Sequence, residues 1–161
     1  MKMRICRLEK QNMAAFKGHI PPGVRENIDR EGYYTLGAVF YPDGKRILAG
    51  MIQVFVDATL HSGSYAELIH VYVEEPFRRQ SVGLRLVGAV DDVLASASVN
   101  VIIARVIPYF SKDTNGSLPK HYKEDFLTEC GFLSTTDNMT GLSGEVETDP
   151  MESRFIKFTG R

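Results

Sequence analysis

Residues 66–86 read AELIHVYVEEPFRRQSVGLRL, and the change of pattern inside this stretch decides how the rest of the chain is assembled. Ala66 to Val73 carries Leu68, Ile69, Val71, Tyr72 and Val73 in a short apolar, β-branched run, bounded by the turn-like HSGS before it and Glu74-Glu75-Pro76 after it. This pattern predicts a buried strand. Further on, Leu84, Leu86, Val87, Val90, Val93 and Leu94 recur at the short spacings of a helix face. The basic turn between them, Phe77 to Gly83, therefore feeds a helix N-terminus.

Such a junction favours an anion. The first turn of a helix presents N–H groups without intrahelical partners, and the summed peptide dipoles add partial positive charge there. Small residues at Ser81 and Gly83 would let backbone approach an oxygen closely, while Arg78, Arg79 and Arg85 supply charge. On the turn alone, an ordinary surface loop capped by Ser81 with solvated arginines explains the same residues equally well.

The segment resembles motif A of the GNAT superfamily of acyl-CoA-dependent N-acetyltransferases, whose pyrophosphate loop follows Gln/Arg-x-x-Gly-x-Gly/Ala. Here it reads Arg78-Arg79-Gln80-Ser81-Val82-Gly83, with Ser81 in place of the first glycine and Pro76 one position later than usual. Phe126-Leu127-Thr128-Glu129-Cys130-Gly131-Phe132 is similar to the family's C-terminal helix ending in Gly-Phe. The resemblance implies an α/β (α+β) fold: a mixed, mostly antiparallel sheet with helices on both faces and one splayed parallel strand pair. It further implies acetyl-CoA as cofactor. Its pantetheine arm would lie against Val71, Tyr72 and Val73, and its pyrophosphate at Arg78, Arg79, Gln80, Ser81, Val82, Gly83, Leu84 and Arg85. No metal is implied.

Composition narrows the classes. With 161 residues, one domain over residues 1–161 can bury a substantial core, roughly 70% of its unfolded surface. A net charge of −1 gives no global basic field for nucleic acid or an anionic membrane. No apolar run approaches the ~18 residues of a membrane span. Only Cys6 and Cys130 are present, so a reduced, cytoplasmic setting with two packed thiols is expected.

Along the chain, Met3 to Leu8 suggests a first strand and a helix begins near Glu9, until Pro21-Pro22-Gly23 breaks it. Val24 to Asp29 suggests a short second helix. Tyr33 to Phe40 and Arg46 to Ala58 read as strands joined by Pro42-Asp43-Gly44, a turn with a stereochemical basis. Val99 to Ile107 is a continuous apolar run, predicted to lie parallel to the opening strand because a helix intervenes. Tyr109 to Pro119 is a polar loop, His121 to Cys130 a last helix and Arg154 to Phe158 a last strand; the tip of a C-terminal hairpin is placed within Thr140 to Gly144.

Acetyl transfer to an amine asks for a base and for positioning. Ala66-Glu67 is similar to the Ala-Glu of the histone-lysine branch of the family, which makes Glu67 the first candidate base; a solvated strand end is the plain alternative. His70 is the second, since imidazole titrates near neutrality. Period-two alternation puts the two on opposite faces of a regular strand, so only one would face the acceptor. The family's usual tyrosine acid is replaced by Leu127, and Tyr109 or Tyr122 could donate instead. The asparagine position corresponds to Lys120, and Asn115 could take over its cofactor contact. The expected function is an N-acetyltransferase acting by direct attack on a small-molecule or protein amine, with no nucleic-acid or membrane partner. Pairing of two copies through sheet edges is also in keeping with the family. The missing tyrosine keeps a second reading open, a coenzyme-A-binding sensor or interaction domain with little or no turnover.

Overall fold

The computed structural model describes residues 2–11, 20, 22–56, 65–106, 120–135 and 153–160. Residues 12–19 of the helix expected from about Glu9, the polar loop at 109–119 and the hairpin tip at 140–144 lie outside them. Among the described residues seven strands form one sheet: β1 (Met3–Arg7), β2 (Tyr33–Phe40), β3 (Ile47–Val56), β4 (Tyr65–Val73), β5 (Val101–Val106), β6 (Leu133–Ser134) and β7 (Ser153–Phe158). Their spatial order is β1-β2-β3-β4-β5-β7-β6. Among these described strands only β4 and β5 run parallel.

The β2–β3 hairpin turns where Pro42-Asp43-Gly44 predicts. Lys45 N–H donates to the Pro42 carbonyl at 2.9 Å, and Asp43 and Gly44 take φ of 50° and 74°, a left-handed geometry that suits them. Helix α1 (Pro22–Asn27) covers one face, where Val24 joins Leu8, Ile28, Val39, Leu48 and Met51 in a small core. Helices α2 (Val82–Ser96) and α3 (Lys120–Glu129) cover the other. There Val82, Leu86, Val90 and Leu94 of α2, with Leu127 and Cys130 around α3, pack on Ile52, Ala66, Ile102, Ala104 and Phe155. Helices therefore occupy both faces, as expected. Among the described residues no helix is long and apolar enough to cross a membrane.

The opening strand differs from its sequence expectation. Of β4 only Ala66 is buried, and Ile69 is 38% exposed. The reason is topological: the parallel contact comprises Tyr65↔Val101, Ala66↔Ile102 and Glu67↔Ile103, after which the two strands part. β5 continues against β7 as far as Val106↔Ser153, while β4 continues against β3 alone. Apolar residues that a two-sided neighbour would bury thus line an open notch.

The C-terminal strand is tied to α2 by a nearly buried ion pair. Lys157 Nζ lies 3.4 Å from Asp91 Oδ2, and the Gly160 N–H donates to the same carboxylate at 3.2 Å. Removing one partner of such a pair strands the other charge in low dielectric. Asp91→Ala is therefore expected to cost about 3–5 kcal/mol in urea unfolding, whereas Asp92→Ala, on the exposed side of the same helix, should stay within about 0.5 kcal/mol.

Candidate active site

β4 contains a one-residue irregularity that changes which side chains share a face. Gln53 of β3 pairs with His70 and Val54 pairs with Leu68, which leaves Ile69 as an extra residue, a β-bulge. Directly paired residues lie on the same face, and Gln53 and Phe55 are two apart on β3. Their partners His70 and Glu67 therefore point to one side, the side of α1. Alternation on a regular strand separates these two residues; the bulge brings them together.

The same register counting assembles their surroundings. Glu67 is level with Ile103 of β5, so Arg105 shares its face, and Arg105 in turn is paired across strands with Arg154 of β7. Arg105 Nε lies 3.9 Å from Glu67 Oε1, with the two side chains 51% and 36% exposed. Glu67 is thus a partly solvated carboxylate and not one enclosed among apolar side chains. Gln53 is fully buried beside His70 and donates through Nε2 to the Val24 carbonyl of α1 (2.9 Å) and to Thr35 Oγ1 (3.0 Å). It locks α1 onto this face. Neither Gln53 nor the two arginines stands out in the sequence, because their relevance comes from register alone.

At the far end of β4, Glu74 N–H donates to the Ala49 carbonyl at 2.8 Å. The alternation of an antiparallel ladder then turns the backbone of Tyr72 toward β3 as well, and that of Val71 and Val73 toward the notch. Arg78 Nε occupies the Val73 carbonyl at 2.8 Å, and its guanidinium lies 5.6 Å from the Tyr72 ring centroid. Through its Nε, Arg78 thus joins the strand end to the loop. Burial, followed by the Glu74 carboxylate, pushes the Tyr72 phenol up from its usual range, against a smaller opposing effect of Arg78.

The loop presents backbone rather than a capped helix. Arg79 and Ser81 both have positive φ, 61° and 60°, on either side of Gln80, a local strain of the kind found where ligands are held. The Ser81 hydroxyl makes no capping bond. The first backbone bond of α2 is Arg85 N–H to the Ser81 carbonyl, 3.0 Å, so the N–H groups of Val82, Gly83 and Leu84 have no acceptor within the helix. Arg79, Ser81, Leu84 and Arg85 are exposed around them. Gln80 Nε2 donates back to the Pro76 carbonyl at 3.2 Å and closes the turn.

Gly83 has a different reason to be small. A Cβ there would stand 2.5 Å from Phe126 Cε2, so its size serves the contact of α2 with α3. Of the other candidates, Tyr122 lies on α3, in the layer opposite Glu67 and His70, and is 47% exposed. Tyr109 and Asn115 fall outside the described residues. Leu127 is a core residue, 3% exposed. Cys130 is buried, and burial, reinforced by Glu129 against Lys157, pushes its thiol up to about 11; burial raises Cys6 too, with Arg46 opposing. Neither thiol is an activated nucleophile. Among the described residues no group of three or more His, Cys, Asp or Glu is placed to hold a metal ion.

The family model described as acetyltransferase (GNAT) family matches residues 4–112. None of the curated proteins matches the sequence significantly. Among solved structures, a GNAT-family acetyltransferase from Staphylococcus aureus is similar at a TM-score of 0.63 and 13% identity, with 98% of this chain and 99% of that one covered. NAA60 of Arabidopsis thaliana, solved with acetyl-CoA, is similar at 0.64 and 10%, with 98% of each chain covered. A KacTA–DNA complex is similar at 0.67 and 12%, covering 98% and 94%. At these identities the likeness is one of fold.

The two small loop residues should respond oppositely to substitution. Ser81→Gly relieves a left-handed conformation and is expected to leave stability unchanged or raise it by up to about 1 kcal/mol. Gly83→Ala should cost about 1–3 kcal/mol by overpacking against Phe126, with part of the loss recovered by adding Phe126→Leu. Denaturant unfolding of the three variants checks both.

Proposed function

Because the chain belongs to the acetyltransferase (GNAT) family, whose model matches residues 4–112, we propose that it transfers an acetyl group from acetyl-CoA to a primary amine by direct attack. The observation that carries this reading is the three-pair parallel contact between β4 and β5, which leaves the backbone of Val71 and Val73 facing a notch. Buried backbone groups need partners, and an amide-bearing chain can serve as a substitute strand. The N–H groups of Val82, Gly83 and Leu84, with Arg79 and Arg85, suit a pyrophosphate at the start of α2. The cofactor supplies, when bound, an acetyl group activated as a thioester.

The protein's part is to orient an amine and take its proton. Glu67 holds the proton, directly or through water, because it lies where the notch begins and on the α1 face. His70, on the same face, is the second acceptor for it. Direct attack is supported by the buried, high-pKa state of Cys130, which removes the thiol nearest a motif as a covalent carrier. With Leu127 in the core, the leaving sulfur takes its proton from water. We place residues 1–161 in a single such domain, working in the cytoplasm on a small-molecule or protein amine.

Turnover against an amine panel with titrated acetyl-CoA tests the assignment, and acetyl-CoA binding without transfer to any amine would favour the sensor reading that the buried Leu127 supports. Glu67→Gln is expected to lower kcat by about a hundredfold with little change in acetyl-CoA affinity. An unaltered pH–rate profile in that variant would move the role to His70 or water.

A further inference from the structure

The face that carries Glu67 and His70 also carries two arginines, and they are cross-strand partners: Arg105 of β5 stands opposite Arg154 of β7. Like charges in direct opposition are unfavourable in a sheet, and both groups make contacts within the protein. The placement nevertheless gives the mouth of the notch a fixed charge pattern. Glu67 is its negative group, 3.9 Å from Arg105, and Arg154 lies one strand further out with its Nε buried. Planar guanidinium groups held side by side are suited to a carboxylate, which they can meet through paired N–H donors.

Given acetyl transfer to an amine at this site, we propose that the acceptor is an aminocarboxylate: an amine bearing a carboxylate near the nitrogen, as in a free amino acid. Its ammonium group meets Glu67, where the proton is removed, and its carboxylate meets Arg105 and Arg154. The charges of such a zwitterion match those of the face in the opposite sense. A neutral amine engages only Glu67, and a dicationic polyamine sets a second positive charge against the arginine pair. The acetyl–sulfur bond breaks as the nitrogen–acetyl bond forms, the amine proton passes to Glu67 or water, and the carboxylate of the acceptor is unchanged.

The test compares free L-amino acids with the corresponding L-amino acid amides, which lack the negative charge and keep the rest of the molecule. The expected result is a kcat/KM ratio, acid over amide, above one for the preferred side chain. In Arg154→Gln and in Arg105→Gln this ratio should fall at least about tenfold, the loss expected of one charge-assisted hydrogen bond, and through KM rather than kcat. Arg154→Lys, which keeps the charge, should recover part of it. A preference for the amides, or a ratio unmoved in both glutamine variants, would overturn the proposal. Calorimetric titration of the same acids and amides into protein saturated with coenzyme A reads the preference without turnover. Binding of the acids that is lost in Arg154→Gln, in the absence of any acetyl transfer, would uphold the charge assignment and remove the transferase reading; no preference for the acids in either experiment would remove the assignment alone.

Discussion

The structure depends on where the parallel contact stops. Three residue pairs join β4 to β5, and β5 then spends its other edge on β7 along its whole length. A strand deprived of a neighbour exposes both its backbone and its side chains. The side-chain consequence is the half-open β4; the backbone consequence is an edge at Val71 and Val73 that faces the notch, where Arg78 already takes the Val73 carbonyl. Everything proposed for the cofactor arm follows from that imbalance, and the loop at α2 completes it at the end where the strand gives way to helix.

Much of this was legible in the sequence. The Pro42-Asp43-Gly44 reversal, the apolar run from Val99 to Ile107, the amphipathic pattern of α2 and the terminal Gly131-Phe132 each specify local structure through a local cause. Their sum gives the strand inventory and the family. The burial of β4 was not legible, because composition reports what a strand could bury and not whether a neighbour arrives. The packing demand on Gly83 was not legible for a similar reason: smallness is visible in sequence, whereas the ring of Phe126 that requires it comes from a helix some forty residues later.

The acceptor side was the least legible. Alternation assigns Glu67 and His70 to opposite faces, and that counting fails at the extra residue Ile69. Arg105 sits in an otherwise apolar run and Arg154 at the edge of another, so neither draws notice until the parallel and antiparallel registers are combined. Gln53 is buried without a sequence signal, and it anchors α1 against the same face. Site residues on sheets are fixed by pairing, which is a property of two strands and is written in neither one.

The bulge has a consequence for how such a site can change. Strand residues on either side of Ile69 have opposite parity, yet Ala66, Leu68, Val71 and Val73 all point toward the α2 layer. Regular pairing with Ile69 retained would set the two halves of β4 at odds: keeping Val71 and Val73 inward would turn Ala66 and Leu68 out and drive Glu67 toward the core. Deleting Ile69 itself makes Leu68 and His70 neighbours and restores simple alternation, with Ala66, Leu68, Val71 and Val73 still inward and Glu67 and His70 still on one face. The bulge works as a phase keeper: it absorbs the extra residue, so that a carboxylate at the start of the strand and an imidazole at its middle share one surface while a single hydrophobic layer is kept beneath them.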